Sequence, residues 1–107
     1  MSPFVAVQDI PEKEIIKGYH ARMIHMEGIT VAHFRVEAGS ALPQHHHIHE
    51  QVTNIISGTF EMTVGGVTKV CTAGDVIAIP SNVPHSAIAL TDCYIVDVFC
   101  PVREDYR

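Results

Sequence analysis

Apolar and β-branched residues recur along this chain in short runs with turn signals between them, and no stretch beyond a turn or two carries the 3.6-residue period of an amphipathic helix. The pattern predicts strands over residues 4–7, 20–26, 29–37, 42–47, 51–56, 59–64, 67–71, 76–79, 85–90 and 93–99. Residues 12–18 hold one short helical turn at most. Gly65-Gly66 falls between two of the runs, and a pair of residues free to take positive φ suits the tight turn of a hairpin. So many short strands in a small chain must close on themselves or stack as two sheets, because open edges invite aggregation. The expected fold class is therefore all-β, a small barrel or jelly roll.

The chain has 107 residues, enough for one domain over 1–107 with a real core and too few for two. Although 47% of the residues are hydrophobic, no apolar run approaches the roughly 20 residues needed to span a bilayer. The start, Met1-Ser2-Pro3-Phe4, lacks a basic-then-apolar leader, so a cytoplasmic location is expected. Cys71, Cys93 and Cys100 are odd in number and far apart in apolar surroundings, which fits reduced thiols. A formal charge of −5, with the seven Lys and Arg dispersed, argues against nucleic acid as a partner. Net charge does not exclude a small anionic ligand, provided the site itself supplies positive charge.

Candidate chemistry is concentrated in His45, His46, His47 and His49, with Gln51 just beyond and His85 behind the turn Pro80-Ser81-Asn82-Val83-Pro84. On a strand, His45 and His47 point the same way about 7 Å apart and His46 points opposite, so two imidazoles converge on one point. Histidine tags and metal-scavenging tracts sit at termini or among polar residues, whereas this cluster lies between strand-like runs. Further ligands must come from elsewhere, and Gln51 and His85 are the nearest by chemistry. Glu50 competes with Gln51: on a continuing strand it faces away from His45 and His47, but a turn at Ile48-His49 breaks that parity. His46 is expected outward and solvated. His49 shares the inward parity, as a support to the ligands or a group facing substrate.

The spacing reads Gly39, His45, His47, Gln51, Gly58 in one block and Gly74-Asp75, Pro80, Asn82, His85 in another. These blocks resemble the paired signature motifs of the cupin superfamily. The resemblance implies a double-stranded β-helix, the cupin jelly-roll barrel, with a metal in the barrel mouth. Cupins usually carry glutamate where this chain has Gln51, and asparagine where it has Ala89. The C-terminal stretch Asp97-Val98-Phe99-Cys100-Pro101-Val102-Arg103-Glu104-Asp105-Tyr106 extends the likeness, from about residue 39 to 106, to the KdgF-type cupins of pectin and alginate breakdown. That resemblance implies conversion of 4,5-unsaturated uronate monosaccharides to the linear ketonised form. The family's metal ligands map onto His45, His47, Gln51 and His85, and its active-site residues onto Asp97, Phe99 and Arg103.

Those last three residues also stand on their own chemistry. Asp97 and Phe99 share strand parity and face one interior, and a carboxylate inside an apolar strand needs a partner or a task. Arg103, six residues after Asp97, can return over the mouth and grip a substrate carboxylate while Asp97 moves a proton. Three neutral imidazoles and an amide leave the full charge on a divalent metal, which makes the site a good anion trap and Lewis acid. Nickel, zinc, manganese, iron and copper all suit such ligands. Two other functions are compatible with the same residues, a cupin dioxygenase and a non-catalytic module that binds a sugar acid. The expected assembly is a homodimer, with the N-terminal strands as the elements to pair with a second subunit, although nothing in the sequence signals it directly.

Overall fold

The computed structural model describes residues 2–107. Ten strands follow one another: β1 (Lys13–Ile16), β2 (Tyr19–His25), β3 (Thr30–Val36), β4 (Ala41–His45), β5 (Glu50–Ser57), β6 (Phe60–Val64), β7 (Val67–Cys71), β8 (Val76–Ile79), β9 (His85–Ala89) and β10 (Cys93–Cys100). They form a six-stranded sheet in the order β1-β2-β3-β10-β5-β8 and a four-stranded sheet in the order β4-β9-β6-β7. All pairings are antiparallel. This is an all-β jelly roll, as the short-run pattern predicts.

Alternation fixes which side chains meet between the sheets. In β10, Cys93, Ile95, Asp97 and Phe99 are buried while Tyr94, Val96 and Val98 face outward. β5 follows suit with Gln51, Thr53 and Ile55 inward, and the β10–β5 register sets Ile95 beside Ile55 and Asp97 beside Thr53. Phe34, Val36, Ile55, Phe60, Met62, Ile79 and Ile95 form one core from both sheets. Ile55 is 1% exposed, so Ile55→Ala costs about 2–5 kcal/mol through lost transfer energy and the cavity left behind.

The core is closed at one end and polar at the other. Thr30, Gln51, Thr53, His85, Asp97 and Arg103 are the buried polar groups that interrupt it. The Gly65-Gly66 hairpin forms as expected, both glycines at positive φ between the paired Val64 and Val67. Gly58 is required more strictly, since a Cβ there would meet the Asp92 carbonyl at 2.2 Å.

Three expectations need correction. The apolar run at residues 4–7 forms no strand; residues 2–6 lie free of both sheets and Val7–Asp9 is a 3-10 turn, its carbonyls taken by Arg22, whose Nη1 donates to Val7, Gln8 and Ile10. Residues 12–18 supply a strand, not a helical turn: β1 pairs with β2 along an edge, where Ile15 and Ile16 pack on the core. The strand placed at 42–47 ends at His45, so His47 projects from a loop. Among the described residues no helix is long and apolar enough to cross a membrane.

Candidate metal centre

Two antiparallel neighbours set the first pair of imidazoles. His45 at the end of β4 is directly opposite His85 at the start of β9, with ring centroids 4.2 Å apart. The loop after β4 folds back and brings His47 to 4.9 Å from His85 and 5.6 Å from His45. One ring nitrogen from each of the three lies within 4.8 Å of the others. The convergence inferred from strand parity is thus achieved by a different route, a loop that turns His47 inward.

The tautomers are set by the main chain. His45 Nδ1 donates to the Pro43 carbonyl at 2.9 Å, His47 Nδ1 to the His49 carbonyl at 3.0 Å and His85 Nδ1 to the Val83 carbonyl at 2.9 Å. A carbonyl only accepts, so each neutral ring carries its proton on Nδ1 and presents a bare lone pair on Nε2. His85 Nε2 is buried without a hydrogen-bond partner. Gln51 adds a fourth lone pair: its amide nitrogen donates to Thr53 Oγ1 at 2.9 Å and Asp97 Oδ2 at 3.3 Å, which turns Oε1 toward His47 Nε2, 3.1 Å away. Two acceptors facing each other at that distance without a proton between them call for a cation. A buried, unpaired lone pair and a convergent neutral N₃O set fit a divalent transition metal.

Electrostatics keep the ring nitrogens available. Burial, then the charge of Arg103, depresses the His47 pKa to about 4, and burial lowers that of His85 as well. Burial acts in the opposite sense on Asp97 and raises its carboxyl to about 7, outweighing hydrogen bonds from Thr53 and Gln51 and the pull of Arg103. Asp97 Oδ1 is buried with no partner. A carboxyl half protonated near neutrality, one oxygen held and the other free, is equipped to give and take a proton.

Arg103 is buried beside these groups, its guanidinium sandwiched 4.7 Å from the Phe99 ring centre and 4.0 Å from that of Tyr106. Asp105 accepts from Nε at 3.0 Å and from Nη2 at 2.8 Å. One edge of the fork is therefore taken, and the edge carrying Nη1 is the one left for an anion. Phe99 also stands edge-on to His47 and His49, at 6.0 and 6.4 Å.

His45, His47, Gln51, Asp97, Phe99 and Arg103 all border one cavity of about 50 Å³ that opens to solvent, with the inward-facing His85 beside them. Glu50 is exposed and outward, as is His46, whereas His49 is half-buried against His47. Three members of the site were not singled out from sequence. Thr53 shares the parity of Gln51 and was legible on that ground; Asp105 and Tyr106 depend on how the chain turns back after β10, which no local pattern encodes.

A family model described as "Cupin domain" matches residues 32–99. The pectin degradation protein KdgF of Dickeya dadantii (strain 3937) is 29% identical over 65 residues, which span 60% of this chain and 59% of that protein's length. An RmlC-like cupin from Shewanella frigidimarina NCIMB 400 superposes with a TM-score of 0.94 at 30% identity, covering 100% of this chain and 97% of that one. KdgF from Halomonas sp. superposes with a TM-score of 0.92 at 23% identity, covering both chains completely.

Proposed function

Because the chain belongs to the cupin domain family, we propose that its histidine-lined barrel mouth is the active site of a metal-dependent enzyme that converts 4,5-unsaturated uronate monosaccharides to their linear ketonised form. The observation that carries this reading is Asp97: a buried carboxyl with a pKa of about 7, hydrogen-bonded to the same Gln51 amide whose oxygen faces the histidines. A site that only captured anions would not keep an ionisable acid next to its ligand. The likeness to the pectin degradation protein KdgF of Dickeya dadantii supports a substrate drawn from pectin breakdown.

His45, His47, His85 and the Gln51 oxygen would hold the cation. When bound, a divalent metal supplies positive charge and Lewis-acid polarisation for substrate oxygens. The chain's own residues do the rest. Arg103, fixed by Asp105 and flattened between two aromatic rings, takes the substrate carboxylate on its Nη1 side. Opening of the hemiacetal ring leaves an aldehyde at C1 and an enol at C5. Asp97 donates its proton to C4 as the C5 hydroxyl gives up its own, so the C4–C5 double bond becomes a C5 ketone and the carboxyl can be recharged. Phe99 and Tyr106 shield the guanidinium from water, which strengthens its hold on the anion.

Incubation with the unsaturated monomer, followed by loss of enol absorbance and by NMR of the linear keto product, tests the reading. Turnover is expected only with metal present. A rate no greater than in buffer with metal-loaded protein refutes it.

A further inference from the structure

Two polar side chains beside the barrel mouth, Thr30 and His25, take no part in the chemistry derived above. Thr30 opens β3 and is directly opposite His25 at the end of β2 on one side and Phe99 of β10 on the other. Its side chain is fully buried, so its hydroxyl must find partners inside the protein. They lie on one relay. The main-chain N–H of Arg103 donates to Thr30 Oγ1 at 2.9 Å, which leaves the hydroxyl proton for His25 Nδ1, 2.8 Å away. A neutral ring whose Nδ1 accepts carries its own proton on Nε2, and His25 spends that proton on the main chain of Tyr106, where a carbonyl accepts it.

The relay therefore begins at residue 103 and ends at residue 106, spanning the turn that presents Arg103, Asp105 and Tyr106 to the cavity. This turn lies beyond β10 and has no sheet to hold it. Asp105 and Tyr106 fix the guanidinium relative to the turn, but not the turn relative to the barrel. Buried Phe99 and Val102 anchor the segment without aiming it, since apolar burial is not directional. Its other polar ties are exposed. Lys13 Nζ donates to the Tyr106 carbonyl at 3.4 Å and Arg107 Nη2 to the Met26 carbonyl at 3.2 Å, both where water competes.

We propose that Thr30 and His25 are positioning residues for Arg103: their relay docks the C-terminal turn on β2 and β3, and so sets where the free edge of the guanidinium meets a substrate carboxylate. The functional half of this inference rests on the reading in which Arg103 binds that carboxylate. Aim matters there, because a guanidinium grips a carboxylate only in a narrow range of orientations and a small misplacement is costly. Thr30 suits the task. Its β-branch favours a strand and restricts the side chain to few rotamers, so the hydroxyl is aimed before the turn docks. Valine has the same shape without the hydroxyl, and would leave the Arg103 N–H buried without a partner.

Kinetics and NMR of the metal-loaded protein, with zinc for the NMR, test it. The Arg103 Nε proton bonds to Asp105 and not to Thr30, so it reports the turn and not the substituted position. In Thr30→Val its exchange with solvent should quicken by about 10-fold or more, and KM for the unsaturated monomer should rise by about 10-fold, with kcat changed less and metal content unchanged. His25→Phe should act in the same direction, and Thr30→Ser, which keeps the hydroxyl, should restore most of both. An Nε proton equally protected in Thr30→Val overturns the inference, as does metal lost in step with the rise in KM, which would mark a general loosening of the barrel. Absence of turnover by the wild type would refute the proposed reaction alone, and exchange of the Nε proton would still decide the role of Thr30.

Discussion

Replacing Asp97 by asparagine should stabilise the metal-free protein while removing its activity. In the folded chain the carboxyl titrates at about 7 against an ordinary 3.8. The folded state therefore keeps its proton across a range in which the unfolded state has lost it. Stability conferred by the protonated carboxyl is complete below the ordinary value and drains away as pH rises through the folded one. The gap of roughly three pH units corresponds to about 4 kcal/mol lost above neutrality. Asparagine has the same shape, stays neutral and can still accept from the Gln51 amide, so it avoids this loss. Thermal unfolding in chelator, followed by circular dichroism from pH 4 to 8.5, should show wild type and Asp97→Asn melting together at the acid end. They should diverge to about 15 °C or more at the alkaline end, given ~4–8 °C per kcal/mol for a chain of this size. A difference equal at both ends of the range would mean that Asp97 titrates like a solvated carboxyl, and the proton-transfer role would go with it.

Acid should strip the metal late. His47 is depressed to about 4, so its lone pair is available above that value and is lost only as pH falls through it; dialysis followed by elemental analysis should find metal retained at pH 5 and released near 4. Gln51→Ala removes the oxygen that faces His47 Nε2 and the hydrogen bond to Asp97, and should weaken metal retention by about 10-fold or more in a chelator competition, with turnover falling alongside. Asp105→Ala frees the Arg103 fork without touching the histidines; KM should rise by about 10-fold with metal content unchanged, and Asp105→Glu should recover part of the loss. Equal loss of metal in that variant would assign Asp105 to the scaffold and not to substrate binding.

Most of the barrel was readable because inward and outward positions alternate strictly along β5 and β10, and because turn residues such as Gly65-Gly66 mark the hairpins. Where reading failed, tertiary context decided. Lys13-Glu14-Ile15-Ile16 looks too charged for a strand, yet β2 offers an edge and two isoleucines suffice to hold it. Residues 4–7 look apolar enough yet stay outside both sheets, where Arg22 holds the carbonyls of the segment that follows. Parity brought His45 and His47 together on paper, while the chain leaves its strand at His45 and curls. Asp105 and Tyr106 were invisible for a related reason: their contact with Arg103 spans two or three residues of a turn whose course is set by docking on the barrel.

The three carbonyls that fix the imidazoles belong to residues 43, 49 and 83, and any amino acid placed there brings the same oxygen. The geometry of the three imidazoles is consequently insulated from drift in the surrounding side chains. Walls of the cavity such as Leu42, Phe60 and Met62 can be exchanged to admit differently shaped molecules while the histidine triad stays as it was. A scaffold of this kind lends itself to diversification, since the shape of the cavity and the setting of the imidazoles are written in separate parts of the polypeptide.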